Sequence, residues 1–366
     1  MATEAITTPK PKREPDPSRG RGRPTLREVA RLSGMSPSTV SAILNNREYC
    51  WAAKSSRQKV IEAAKALGYR PNLAARALRG GQTHTLGLIT GALNVEVTSL
   101  KMEGFEEAAR EAGYVTLIAY NANDPAIEDR LINKFIDRDI DALVVNPSET
   151  GTHTELRRLV ELAKTPVLTI DGEGRVDVPC DDVSADYYAA GRLQAQHLIE
   201  LGCKRLAHVK TFPSCYAKDQ LRAGFLDAAS EAGVEPVLMC NPEENANVGS
   251  VITPELVQQL REFMTTYRDR IDGIASYDLV AASVVHAAMA CGVRVPQDLK
   301  VIGFDDSPVA LNCVVPLSSV AQCAKEMGRT AFEILARRMA NPDDGQHERV
   351  RVAPVLVKRQ STGEAP

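Results

Sequence analysis

Seven short apolar runs dictate the architecture of most of this chain: Leu86–Thr90, Val115–Ala119, Ala142–Val145, Val167–Ile170, Leu206–Val209, Gly273–Ala275 and Val301–Phe304. Stretches with helical periodicity, among them 101–112, 185–201 and 279–291, alternate with them. That alternation predicts parallel sheets covered by helices on both faces. About 280 residues exceed one comfortable core, so two subdomains are expected.

The residues ahead of this body carry a different charge. Residues 1–82 hold 16 Lys and Arg against 6 Asp and Glu, a balance of +10; the remainder holds 28 against 41, a balance of −13. The formal net charge of −3 is therefore a cancellation. A block at +10 suits a polyanion, and the acidic body does not. No apolar run approaches the roughly 18 residues that cross a bilayer. The opening MATEAITTPKPKREPDPSRG has no apolar core after its charges, so no export signal is expected. The eight cysteines (50, 180, 203, 215, 240, 291, 313, 323) form no C-x-x-C pair and have no His at ligand spacing. Reduced thiols in a cytoplasm, without a metal site, are the expectation.

Residues 1–24 have four prolines before Ser18 and little apolar content, the composition of a disordered basic arm. Its end, Arg19-Gly20-Arg21-Gly22-Arg23-Pro24, contains an R-G-R-P core that resembles the AT-hook of the minor groove; plain phosphate attraction is the other reading. In TLREVARLSGMSPSTVSAILN (25–45), Thr25 and Glu28 read as a capping box. Leu26, Val29, Ala30 and Leu32 recur at helical spacing, and Gly34 ends the helix. Ser36 caps a second helix with Pro37 in its first turn, and Val40, Ile43 and Leu44 form its buried face. Two short helices across a tight turn make a helix-turn-helix. The surrounding basic charge and the Ser/Thr face of the second helix favour DNA over a plain two-helix corner. A third helix is expected at about 55–67, with Val60, Ile61, Ala64 and Leu67 inward, and Trp51 as a staple of the small core. NLAARALRGG after Pro71 is helix-forming but too short to hold alone in water.

These stretches, with G-F-E-E-A-A-R-E-A-G-Y at 104–114, A-G-R-L-Q-A-Q-H-L-I-E-L-G at 190–202 and G-V-R-V-P-Q-D-L-K-V-I-G-F-D-D at 292–306, resemble the lactose-repressor (LacI/GalR) family of bacterial transcription regulators. The resemblance implies an N-terminal all-α helix-turn-helix domain and an α/β two-lobed, periplasmic-binding-protein-like (type I) body of doubly wound parallel sheets. The implied boundaries are an arm at 1–24, the helix-turn-helix domain at 25–71 and a hinge helix with linker at 72–84. The N-terminal lobe takes 85–183 with 323–345, and the C-terminal lobe takes 184–322 with 346–361.

The same resemblance places Pro37, Ser38, Thr39 and Ala42 at base-reading positions in the major groove, although Ala42 cannot make a bidentate contact. Thr25, Ser36, Ser41 and Asn45 match phosphate-contacting positions. Ala74, Ala75, Leu78 and Arg79 fall in a hinge helix at the minor groove, with Arg76 adding charge beside it. There Leu78 matches a leucine that wedges between base steps; a linker hydrophobe packed on the body is the alternative. An effector is expected beyond the carboxyl ends of the strands, at Asn94, Ser148, Asp171, Arg222, Asp278 and Gln322. An Asp opening a helix can also be a cap alone, and Asp305-Asp306 is a family mark that can be purely structural.

Two departures bear on the ligand. Relatives usually read N-P-F-F where this chain has Asn94-Val95-Glu96-Val97, without the aromatic wall. Leu221 stands where relatives place Arg, with Arg222 one residue on, a turn of about 100° along a helix.

No G-x-S-x-G, H-E-x-x-H or P-loop is present, and the six His (84, 153, 197, 208, 286, 347) lack ligand spacing. Neither enzyme chemistry nor a cofactor is expected. The expected partners are double-stranded operator DNA, a second copy in a homodimer, and a small-molecule effector such as a sugar or derivative, with no membrane. No leucine heptads follow Lys358, so a dimer is expected rather than a tetramer. A transport-type solute-binding protein would share the lobes but not residues 25–80. An architectural protein bending A·T-rich DNA with little sequence preference is the third reading.

Overall fold

The computed structural model describes residues 24–44, 52–69, 82–91, 95–162, 165–210, 215–240, 254–342 and 346–363. The arm through Arg23, Asn45, Trp51, the hinge residues Ala74, Ala75, Arg76, Leu78 and Arg79, and Asn94 lie outside the described residues. The chain divides into two compact units, Met1–Gly80 and Gly81–Pro366.

In the first unit, α1 (Leu26–Ser33), α2 (Pro37–Leu44) and α3 (Lys54–Leu67) enclose a core of Val29, Ala30, Val40, Ile43, Val60, Ala63 and Ala64. The capping box forms: Glu28 N donates to Thr25 Oγ1 at 3.4 Å, and Thr25 N donates to Glu28 Oε2 at 2.6 Å. Two expected core residues turn outward, Leu32 at 57% and Ile61 at 47% exposure. Both sit one residue off the i, i+3, i+4, i+7 stripe. In α1 that stripe ends on Ser33, and in α3 it runs Val60, Ala63, Ala64, Leu67.

Among the described residues, the second unit holds two sheets of six strands each. The first sheet is built from β1 (Thr85–Thr90), β2 (Val115–Tyr120), β3 (Ala142–Val145), β4 (Val167–Ile170), β5 (Asp181–Ala185) and β11 (Arg349–Val352), in the order β11-β5-β4-β3-β1-β2, all parallel. The second comprises β6 (Leu206–Lys210), β7 (Val237–Cys240), β8 (Gly273–Ala275), β9 (Lys300–Phe304), β10 (Ser318–Ala321) and β12 (Val355–Val357), in the order β12-β10-β9-β8-β6-β7. Among the described strands, only β12 runs antiparallel. Each sheet repeats one doubly wound order, so each has a switch point between its first and third strands.

Two lobe boundaries move. Residues 349–352 were expected in the C-terminal lobe, but Arg349 to Val352 pair with Asp182 to Ala185 in the first sheet. The first lobe thereby also extends past 183. An RVRV alternation suits the edge of either sheet, and only the register distinguishes them.

Helices pack tightly in both lobes. In the first, α4 (Glu96–Glu111) crosses α12 (Ala324–Ala340) where a Cβ on Gly104 would lie 2.0 Å from the Lys325 carbonyl oxygen. In the second, α7 (Tyr187–Glu200) crosses α8 (Tyr216–Glu231) where a Cβ on Gly191 would lie 1.8 Å from the Leu221 carbonyl oxygen. Such contact between backbones lets Phe105 and Phe225, both fully buried, fill the space beside each crossing. Each is worth roughly 2–3 kcal/mol of burial. The remaining described helices of this unit are α5 (Pro125–Ile136), α6 (Thr154–Leu162), α9 (Pro254–Tyr267), α10 (Asp278–Ala290) and α11 (Pro308–Asn312). Among the described residues, no helix is long and apolar enough to cross a membrane.

Candidate nucleic-acid interface and effector cleft

The exposed start of α2 is organised by Ser36. Its Oγ accepts the Thr39 N–H at 3.2 Å and lies 2.8 Å from both Ser38 Oγ and Thr39 Oγ1. This hydroxyl cluster satisfies an orphan donor of the helix and fixes the side chains around it. Ser36, Pro37, Ser38 and Thr25 are exposed, whereas Thr39 and Ser41 are half-buried. Ala42 departs from expectation: at 8% exposure it presents almost nothing to a base edge. Arg27, Arg31, Lys54, Lys59 and Lys65 are exposed on the helices of the same unit.

In the second unit, loops at the carboxyl ends of both sheets converge. Asp171, just past β4, is buried and accepts the Tyr187 hydroxyl at 2.8 Å and the Lys101 ammonium. Burial alone would raise its carboxyl, but Lys101, Arg175 and the hydrogen bonds from Lys101 and Tyr187 more than offset that and hold it below its ordinary value. Lys101 escaped the sequence reading, although a lysine in the buried stripe Val97, Lys101, Gly104, Phe105, Ala108 was the available signal. Arg175 donates to the Pro147 carbonyl at 3.4 Å and pairs with Glu149 at 2.7 Å. Burial pushes the Glu149 carboxyl up against the pull of Arg175.

Ser148 does not present its hydroxyl to the cleft. It is wholly buried, its Oγ donating to the Thr150 carbonyl and its N–H to Glu128 Oε2 at 2.7 Å. Glu128, equally buried, also accepts from Asn121 Nδ2 at 2.9 Å and faces His153 Nδ1 at 2.8 Å. The residue at 148 is thus held from behind by a carboxylate far away in sequence.

Asp278 neither caps its own helix nor stands open to a ligand. Its Oδ2 accepts Ser307 N at 2.7 Å and Ser307 Oγ at 3.0 Å, and its Oδ1 accepts Ser319 Oγ at 2.6 Å. Burial lifts its carboxyl to about 6. Gln322 Nε2 donates to Asp305 Oδ1 at 2.5 Å, while Gln322 Oε1 is buried without a partner among the described residues. Asp305 holds φ +111°, and burial, then neighbouring Asp278, pushes its carboxyl well above the ordinary range. Asp306 pairs with Arg359 at 2.7 Å.

Leu221 is fully buried in the α7–α8 packing, and Arg222 is half-buried on α8. Buried His208 beside it is driven down to about 3, by burial first and then by Arg222 and Lys210. Tyr277 connects the two loop sets: Cys215, Asp305, Glu149 and Arg175 all bear on its phenol, which burial raises far above its usual value. The loops gathered here are therefore polar, and their committed carboxylates already hold internal partners. No cluster of three or more His, Cys, Asp or Glu among the described residues could hold a metal ion.

Residues 25–72 match the bacterial regulatory proteins of the lacI family, and residues 195–362 match the periplasmic binding protein-like domain. Catabolite control protein A of Staphylococcus xylosus is 29% identical over 322 residues, covering 87% of this chain and 93% of that protein. The ribose operon repressor of Escherichia coli (strain K12) is 28% identical over 338 residues, covering 92% of this chain and 99% of that protein. The structure of the Lac repressor dimer bound to operator and an anti-inducer shares the fold, with a TM-score of 0.79 over 93% of this chain and 99% of that one at 21% identity.

A helix-turn-helix unit joined in one chain to a two-lobed, periplasmic-binding-protein-like body defines a DNA-binding regulator rather than an enzyme. Residues 25–72 are a DNA-binding region of the lacI type, and the chain as a whole resembles repressors built the same way.

Proposed function

We propose that this protein is a cytoplasmic transcriptional repressor that binds a near-palindromic operator as a homodimer and is gated by a small molecule in the interlobe cleft. The observation that carries the reading is the union of a capped, hydroxyl-bearing α2 in a basic unit with a body of two sheets in one doubly wound order, whose loops meet at Gly174 and Tyr216. Two-fold symmetry of the protein would be mirrored in the DNA. Ser38 and Thr39 would touch base edges, with Pro37 beside them. Thr25, Ser36, Ser41 and Asn45 would set register on the phosphates. Ala42, being covered, would leave its base pair to shape and deformability.

The hinge supplies the coupling. Ala74, Ala75, Leu78 and Arg79 would order at the minor groove, Leu78 wedging between base steps. A ligand with unequal affinity for two lobe arrangements would shift the balance between ordered and disordered hinges. Asp171, Gln322, Arg222 and Asn94 remain the candidates for ligand contact, whereas Asp278 and Ser148, spent on internal hydrogen bonds, would hold the loops around it. The relatives named for catabolite control and a ribose operon support a sugar-like effector, while the missing aromatic wall argues for one that does not rely on ring stacking.

Selection of bound fragments from the host genome, followed by dissociation constants for selected and random DNA at one salt concentration, tests the reading. A ratio near one would instead indicate an architectural, DNA-bending protein.

A further inference from the structure

The first turn of α8 meets the loop after β4 across the cleft. Tyr216 lies directly over Gly174: a Cβ there would sit 2.1 Å from Tyr216 Cδ2 and 2.3 Å from Cε2. Glu173, next to it, is tied to Arg351 of β11, whose Nε donates to Oε2 at 2.8 Å, and its charge bears on the Tyr216 phenol. The same loop carries Asp171 and Arg175. Beside Tyr216, Cys215 and Lys218 are near enough to Glu149 for their charges to act on one another. Gly174 has φ +72°, a conformation in which Asn is also tolerated. The turn alone therefore does not demand glycine; the approach of the ring does.

We propose that Tyr216 is a latch between the lobes, seated on the bare backbone of Gly174 and steadied by Glu173. The contact joins the C-terminal lobe to the very loop that holds the buried Lys101–Asp171 pair. Releasing it frees one side of the cleft, so a ligand either fits behind the ring or displaces it. The link from latch to DNA rests on the gating reading above, whereas the latch itself does not.

The full-length protein carries its own probe. Cys215 adjoins Tyr216, while Cys180 and Cys203 are buried inside the first and second lobes. Iodoacetamide labelling, followed thiol by thiol with mass spectrometry, reads cleft opening separately from unfolding. Tyr216→Ala and Gly174→Ala should each speed Cys215 labelling about tenfold, the loss of one modest contact, with Cys180 and Cys203 unchanged. Tyr216→Phe, keeping the ring, should give a smaller rise. Equal Cys215 rates in wild type and variants would overturn the latch. A parallel rise at all three thiols would also overturn it, because the contact would then belong to the fold at large. Faster Cys215 labelling with unchanged affinity for genome-selected DNA would support the latch and count against the gating.

Discussion

The Lys101 ammonium and the Asp171 carboxylate form an ion pair in which neither side chain is more than 8% exposed. It joins α4 to the loop after β4, within the first lobe. A buried pair contributes little net stability over an apolar substitute, yet breaking one side of it is costly. Lys101→Met would leave Asp171 buried with its charge compensated only by Arg175 and the Tyr187 hydroxyl. Urea unfolding should show a loss of roughly 3–5 kcal/mol. Because Asp171 is held below its ordinary value of 3.8, its contribution is present above that pH and lost as pH falls through the lowered value. The stability gap between wild type and Lys101→Met should accordingly narrow in acid.

Asp278 has the opposite sign. Its carboxyl is raised from 3.8 to about 6, so the folded protein holds that proton more tightly than the unfolded chain does. Stability from this site is full below about pH 4 and declines as pH rises to about 6, then stays at its lower level. Asp278→Asn keeps an acceptor for Ser307 and cannot ionise. Melting temperatures of the variant should gain on wild type between pH 5 and pH 7, and a constant difference across that span would contradict the assignment.

At the α4–α12 crossing, Gly104→Ala drives a methyl against the Lys325 carbonyl, which as helix backbone cannot turn aside. The helices must separate, at a cost of roughly 1–3 kcal/mol or more. Guanidinium unfolding should register the loss, whereas Gly113→Ala, in open space at the end of α4, should cost only its backbone strain of φ +82°.

Leu78→Gly addresses the proposed hinge. Operator affinity should fall by about a hundredfold, toward that for random DNA, while random-DNA affinity stays nearly constant, because the wedge acts only where the duplex is bent. An unchanged operator dissociation constant would remove Leu78 from the mechanism.

The helix-turn-helix was readable because it is local: Thr25 and Glu28 find each other within one turn, as do Ser36 and Thr39. The seven strands were equally plain, since each is written as a continuous apolar run, six of them buried between helices and β2 half-exposed at its sheet edge. Where reading failed, it failed by single helical steps, as at Leu32 and Ile61, or at strands that lack an apolar run, as at β5, β10 and the edge strand β11. The cleft was legible only as a set of loops. That Asp278 serves Ser307 and Ser319, and Ser148 serves Glu128, depends on partners 20 to 41 residues away.

The sequence by itself determined the kind of protein: a basic reading head, an acidic two-lobed body and the doubly wound pattern that joins strand to helix. Periodicity, caps and charge are properties of neighbours, and neighbours are visible in a string. Tertiary structure alone decided which polar groups stay available in the cleft and which are spent on holding it together. Those groups arrive from loops of two separate sheets, and only folding sets the few ångströms that separate a ligand contact from an internal hydrogen bond.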